Sequence, residues 1–143
     1  MNYITGNLWD FRSAMTPVCV TTNGMTKNNG ELVMGKGIAL QAKQRFPDLA
    51  GSLGQAVRMY GNLVFYFPSC HVISFPTKHD WRNPSDIQLI RTSAAQLVEL
   101  INIYSFERVY LTQPGCGNGG LGWNLVSAVL TPILDDRFWI VTP

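Results

Sequence analysis

At 143 residues, 46% of them apolar and 14% charged, the chain suits one domain with a self-sufficient core and is too apolar for disorder. Its longest apolar run, Leu63-Val64-Phe65-Tyr66-Phe67, is far short of the ~20 residues that cross a bilayer. A net charge of +2 without any block of like charges permits contact with nucleic acid but does not demand it.

Met1 leads straight into Asn2-Tyr3-Ile4-Thr5-Gly6, with neither a basic stretch nor an apolar signal core, so no secretory leader is expected. Cys19, Cys70 and Cys116 are odd in number and lack paired spacing, which argues against a disulfide framework or zinc knuckle and for a reducing cytoplasm. No metal and no cofactor is expected.

Strand signals come first at 2–5 and at 18–22, the latter a β-branched run closed by Asn23-Gly24. A polar stretch, 25–31, leads into Met34-Gly35-Lys36-Gly37, and 38–46 reads as a short helix stopped by Pro47. Short strands are predicted at 56–60, 63–67 and 72–75, the first two joined by a turn at Gly61-Asn62. From 86 to 104, Ile87, Ile90, Ala94, Leu97, Ile101 and Tyr104 recur at alternating spacings of three and four. That spacing is the stripe of an amphipathic helix, with Ser85 and Gln88 placed as a capping box. A strand over 108–112 runs into Gly115-Cys116-Gly117-Asn118-Gly119-Gly120, followed by a helix over 121–130 and a last strand over 138–142. Strands alternating with helices define an α/β layered domain.

Both glycine loops lie between a strand region and a helix, where free N–H groups and the helix dipole suit an anion such as a diphosphate. The first, Gly30 to Lys36, nearly spells a P-loop, but the magnesium-holding Ser or Thr is replaced by Gly37 and no strand runs into Gly30. The second matches G-x-G-x-x-G at Gly115, Gly117 and Gly120, with Asp135 and Asp136 at the distance of a ribose-binding acid. Those acids precede the last strand instead of ending it, and a chain that stops at Pro143 leaves no room for the rest of a dinucleotide fold, so a Rossmann domain is not expected. Two anion-cradling loops in one small domain remain, suited to a diphosphate with a sugar on either side.

Gly6-Asn7-Leu8 after the first strand, Val20-Thr21-Thr22-Asn23, Val33-Met34-Gly35-Lys36-Gly37-Ile38-Ala39 and the loop from Pro114 through Trp123 together resemble the macro-domain family. Phe75-Pro76-Thr77-Lys78-His79-Asp80-Trp81-Arg82-Asn83-Pro84-Ser85 brings the likeness nearer to the branch containing the DarG antitoxin and the terminal ADP-ribose glycohydrolase. In it a P-T-K-x-x-W-R-x-P-S segment marks the DarG type. The similarity runs over nearly the whole chain in the family's order.

The resemblance implies a single domain over 1–143, with a three-layer α/β/α fold, a mixed central sheet and an ADP-ribose cleft at the sheet's C-terminal edge. By position, Asn7 and Leu8 lie beside the adenine, with Asn7 where many members carry an Asp. Met34, Gly35, Lys36, Gly37, Ile38 and Ala39 hold the diphosphate and near ribose. Pro114, Gly115, Cys116, Gly117, Asn118, Gly119, Gly120 and Leu121 wrap the diphosphate and distal ribose, towards which Thr22 and Asn23 reach.

Lys78 corresponds to a lysine beside the anomeric carbon of the distal ribose. As a free amine it can be a nucleophile that forms an imine with the opened sugar; as an ammonium it can polarise the sugar or leaving group. His79 is a general acid–base candidate, and Asp80 offers a carboxylate or a partner for Arg82. The terminal ADP-ribose glycohydrolase carries a catalytic Asp where this chain has Gly119, which turns the expected substrate from carboxyl-linked ADP-ribose to ADP-ribosylated thymidine in DNA.

The expected activity is therefore ADP-ribosyl hydrolysis, with ADP-ribose 1″-phosphate phosphatase and a non-catalytic ADP-ribose reader as alternatives. DNA and an ADP-ribosyltransferase toxin are the implied partners. Trp81 and Arg82 are placed either to stack on nucleic acid or to cover the cleft edge, and Trp123 to pack beneath the loop. Cys116 is expected to pack rather than react, and Cys70 and His71, alternating along a strand, cannot share a metal.

Overall fold

The computed structural model describes residues 1–143. Its strands are β1 (Asn2–Thr5), β2 (Val18–Thr22), β3 (Tyr66–Phe67), β4 (Val72–Pro76), β5 (Val109–Leu111) and β6 (Phe138–Thr142). Its helices are α1 (Gly37–Arg45), α2 (Leu49–Tyr60), α3 (Ile87–Tyr104) and α4 (Trp123–Leu130). The strands form one mixed sheet in the order β1-β6-β5-β2-β4-β3, all parallel except for β3, which runs antiparallel to β4 at the edge.

Strand alternation divides the core between the two faces of the sheet. Val18, Val20, Val72 and Val141 pack with Ala42 of α1 and Ala50 and Leu53 of α2. Cys19, Ile73, Phe75, Leu111 and Ile140 pack with Ile90, Ala94, Leu97 and Ile101 of α3 and Val126 and Leu130 of α4. The result is the expected three-layer α/β/α sandwich.

Four local expectations are corrected. The stretch 56–60 is the last turn and a half of α2, not a strand, and Leu49, Ala50, Leu53 and Gly54 form its buried face. Its neighbour β3 is only Tyr66–Phe67. The cap of α3 is Asp86, whose side chain accepts from Gln88 N at 2.9 Å, leaving Ser85 free of that task. Finally, α4 begins at Trp123 and not Leu121, because the glycine loop first closes a 3-10 turn at Gly117–Gly119. A fifth correction concerns Cys70 and His71, which do not alternate along a strand but sit in the turn before β4, with His71 at φ 56°.

The connectivity places the site. From β2 the chain passes through α1 and α2 towards β3 and β4 on one side, and from β5 through α4 to β6 on the other. β2 and β5 are neighbours, yet their register pairs only Val18 with Tyr110 and Cys19 with Leu111. Beyond those pairs the two chains diverge in opposite directions, the switch point at which open α/β sheets form a crevice outside the carboxyl ends of their strands.

Helix α2 is fixed by a close backbone crossing. A methyl group on Gly54 would overlap the Gly30 carbonyl oxygen and come within 2.8 Å of Leu32 N, whereas one on exposed Gly51 would meet nothing. The two Gly→Ala substitutions should therefore have opposite signs in equilibrium unfolding. Gly51→Ala gains about 0.5–1 kcal/mol from helix propensity. Gly54→Ala loses about 1–3 kcal/mol or more from overpacking. A stabilising Gly54→Ala would disprove the crossing.

Candidate active site

At the carboxyl ends of β2, β4 and β5 the chain leaves a cleft open to solvent, the place where open α/β sheets take their ligands. It brings together Thr22 and Asn23 after β2, Met34, Gly35, Lys36 and Ala39 from the first loop, Lys78 after β4, and Gly115, Cys116 and Gly119 from the second loop. Residues far apart in the chain thus meet in one cleft. Thr21, Val33, Thr77, Trp81 and Ser85 also line it.

The first loop enters α1 with its donors unused. The N–H groups of Gly35, Lys36, Gly37, Ile38 and Ala39 donate to no other group of the protein, a run of orphan donors at a helix start that suits an anion. The second loop is folded on itself by Cys116 N to Gln113 O, Gly119 N to Cys116 O, Gly120 N to Gly117 O and Leu121 N to Gly115 O, at 3.0–3.3 Å. That leaves the N–H groups of Gly115, Gly117 and Asn118 without a protein acceptor. The loops face each other: a methyl group on Gly37 would sit 3.4 Å from Asn118 Nδ2.

Gly115 must be glycine on two counts. Its φ is +80°, and a methyl group there would lie 2.5 Å from Ile90 Cδ1. Gly119 is buried, its carbonyl accepts from Ser85 N at 2.9 Å, and a methyl group on it would overlap Ser85 Oγ. Ser85 itself is 7% exposed, and its hydroxyl has no hydrogen-bond partner within the protein. An unmatched buried hydroxyl costs ~1–3 kcal/mol, so Ser85 Oγ is a donor ready for whatever fills the cleft.

Lys78 is held by an extension of the β2–β4 ladder. Thr22 O accepts from Thr77 N at 3.0 Å and from Lys78 N at 3.4 Å, and Asn62 Nδ2 donates to Lys78 O at 2.9 Å. Its half-buried side chain crosses to the second loop, where Nζ donates to Asn118 O at 3.3 Å and to Trp81 O at 3.5 Å. Asn23 serves the frame, since its Nδ2 donates to Val33 O and its Oδ1 accepts from Met25 N, both at 2.8 Å.

The other acid–base candidates are engaged elsewhere and do not line the cleft. His79 Nε2 lies 2.9 Å from Asp86 Oδ2. That hydrogen bond, with the Gln88 N–H, holds the Asp86 carboxyl below the usual carboxylate range. Asp80 accepts from Arg82 N, Nε and Nη2 at 3.0, 2.9 and 2.6 Å, and the Arg82 side chain pulls its pKa down to about 2. Burial pushes the Cys116 thiol up, the wrong direction for a thiolate nucleophile. The ionisable side chains on the cleft wall are therefore Lys36, Lys78 and Cys116, with no carboxylate among them.

Asn7 and Leu8 follow β1 at the same sheet edge but outside the cleft. Asn7 Oδ1 caps the 3-10 turn Leu8–Phe11 through Trp9 N at 3.0 Å, and Leu8 is buried in the core. Pro114 is buried, Ile38 and Leu121 are half-buried, and Gly117, Asn118 and Gly120 form the exposed loop crest. Asp135 pairs with Arg137 at the amino end of β6, the end of the sheet opposite the cleft. Of the lining residues outside the expected set, Thr77 lies inside the Pro-Thr-Lys run, and Ser85 ends the same segment, where its sequence signal is that of a helix cap.

A two-sided α/β sandwich with paired amide loops over a crevice at its carboxyl edge belongs to the class of folds that bind a nucleoside diphosphate. No family model matches the chain. The macrodomain of Mycobacterium tuberculosis DarG superposes with a TM-score of 0.80 at 30% identity, covering 99% of this chain and 97% of that one. The DNA ADP-ribosyl glycohydrolase of the same organism is 35% identical over 100 residues, 64% of this chain and 28% of the relative. Thermosipho africanus DarTG in complex with ADP-ribose superposes with a TM-score of 0.80 at 26% identity, over 99% of this chain and 42% of that one. The chain belongs to the macrodomain family, DarG type. It spans 28–41% of the length of the curated relatives it matches.

The Asp80–Arg82 lock gives a direct test of the loop geometry. The depressed pKa means that the lock is intact above the unfolded carboxyl value of ~3.9 and is lost only as pH falls through about 2. Carboxyl NMR of the wild type should show Asp80 titrating near that lower value, and Arg82→Ala should return it towards ~3.9. A wild-type Asp80 that titrates normally would remove the lock.

Proposed function

We propose that the protein is an ADP-ribosyl hydrolase that removes ADP-ribose from a nucleobase in DNA, with Lys78 acting at the anomeric carbon. The observation that carries this is the wall of the cleft: two opposed runs of free amide donors, two lysines and no carboxylate. Such a wall suits a diphosphate between the loops and repels neither charge it bears. The distal sugar then lies towards the second loop, where the Lys78 ammonium, the Ser85 hydroxyl and Thr22 gather. Asn7 and Leu8, at the far end of the same edge, are left for the adenine. DNA as substrate is supported by the names of the relatives. The Thermosipho africanus relative, called a DNA ADP-ribosyl transferase–DNA ADP-ribosyl glycohydrolase fusion protein, points to an ADP-ribosyltransferase as the partner that supplies it.

The net reaction adds water across the glycosidic bond: the carbon–nitrogen bond breaks, the anomeric carbon gains hydroxyl and the base nitrogen regains its proton. Lys78 already donates into the second loop through Nζ. Swung to the ligand, it would stabilise the charge that develops on the departing base. A nucleophilic amine would instead form an imine with the opened sugar, which water then resolves, and borohydride would trap that species on Lys78. His79 and Asp80 are assigned to holding the segment: the first braces Asp86 at the cap of α3, the second fixes Arg82.

Single-stranded DNA carrying ADP-ribosyl-thymidine is the substrate to test, with ADP-ribose 1″-phosphate in parallel. The wild type should release ADP-ribose, and Lys78→Ala should lose on the order of 100-fold in turnover, the scale of one removed electrostatic group. Phosphate release alone would make the protein a phosphatase, and binding of ADP-ribose without turnover a reader.

Gly35 separates ligand from fold. It is exposed, and a methyl group on it meets no protein atom, so Gly35→Ala should unfold like the wild type. It should nonetheless weaken ADP-ribose binding by roughly tenfold, because the backbone could no longer approach the diphosphate. Unchanged affinity by calorimetry would move the diphosphate away from the first loop.

A further inference from the structure

We propose that Trp81 is the stacking platform for the nucleobase that carries ADP-ribose, so that substrate is recognised through its base and not through the DNA backbone. This rests on the hydrolase reading of the cleft and names the group on the leaving side of the bond. Trp81 lines the cleft yet remains 48% exposed, a large apolar surface at the rim of a polar site. Its carbonyl accepts from Lys78 Nζ at 3.5 Å. A group leaving the carbon that Lys78 addresses therefore emerges beside the indole.

The ring is backed by Arg82, which the turn holds in place. Asp80 binds the backbone and guanidinium of Arg82, and Asn83 N closes the turn on Asp80 O at 3.1 Å. That turn carries the Arg82 guanidinium over the Trp81 ring, 5.8 Å from its centroid. A cation on one face favours an aromatic partner on what remains exposed. A pre-set ring also loses little freedom on binding.

The charges around it argue against reading the phosphates. Arg82 is neutralised by Asp80 and His79 is occupied by Asp86, which leaves Lys78 as the one cation of the 78–82 segment without a carboxylate partner. A track along a strand needs a series of unpaired cations; stacking on a base needs one ring.

The test measures kcat/KM for ADP-ribosyl-thymidine as a nucleoside and within a single-stranded oligonucleotide, across salt concentrations. Affinity for free ADP-ribose is measured alongside, for wild type, Trp81→Ala and Trp81→Phe. The wild type should treat nucleoside and oligonucleotide within about threefold, with a log–log salt slope of about 1 or less. Trp81→Ala should lose roughly tenfold or more on both base-bearing substrates, beyond any loss in ADP-ribose affinity, and Trp81→Phe should keep most of the activity. The platform is overturned if Trp81→Ala loses no more on those substrates than on free ADP-ribose. It is also overturned if only the oligonucleotide is used and with steep salt dependence. A wild type that binds ADP-ribose but turns over neither substrate defeats the hydrolase reading itself, an outcome distinct from an active wild type indifferent to Trp81.

Discussion

The second glycine loop keeps its shape because two of its carbonyls are held by the segment that follows β4. Ser85 N donates to Gly119 O and Lys78 Nζ to Asn118 O. With those oxygens turned to the 78–85 segment, the loop's remaining amides at Gly115, Gly117 and Asn118 stay unspent. The same contact requires Gly119 to be glycine, since a side chain there would occupy the place of Ser85 Oγ. A side chain at this position would require the Ser85 hydroxyl to turn away. Gly119 and the Ser85 hydroxyl thus share one space at the foot of α3.

That contact is available only because the sheet delivers both segments to one edge. β2 is paired on one side with β4 over five residues and on the other with β5 over two. The long pairing extends the ladder past Pro76 to fix Thr77 and Lys78, while the short one lets the loop after β5 swing clear. Further support comes from α3. Asp86 caps it, Asp86 N donates to Thr77 O, and Ser93 Oγ donates to Pro76 O at 2.7 Å. Those bonds satisfy the carbonyls of the turn from which Lys78 projects, so the packing of a core helix sets the position of the catalytic candidate.

Much of this was legible in the sequence, and what was not has physical reasons. The stripe of α3 was readable because Ile90, Ala94, Leu97 and Ile101 are buried against one surface. The glycine loops are readable because their shape is made of backbone, which needs glycines at fixed spacings. Helix α2 carries no clear local signal, because Gly51 and Gly54 interrupt its pattern and its last turn exposes Met59 and Tyr60. One of those glycines admits the Gly30–Leu32 backbone, a constraint set by a distant segment that no local period encodes. Ser85 has the sequence signal of a cap that Asp86 performs one residue later. Caps are local and either residue type serves, so only the fold decides which side chain turns to the helix and which to the cleft.

The distribution of charge around the site follows from the same economy of groups. Of the three ionisable candidates in the 78–80 run, two are paired outside the cleft, His79 with Asp86 and Asp80 with Arg82. Each pair is solvent-exposed and worth little as a salt bridge, yet each restrains a turn next to Lys78. A carboxylate turned into the cleft would set a negative charge against the anion affinity of free amide donors; turned outwards, it stiffens the wall instead. Of that run, the lysine alone is left facing the cleft, between the free amides of the second loop and the indole of Trp81.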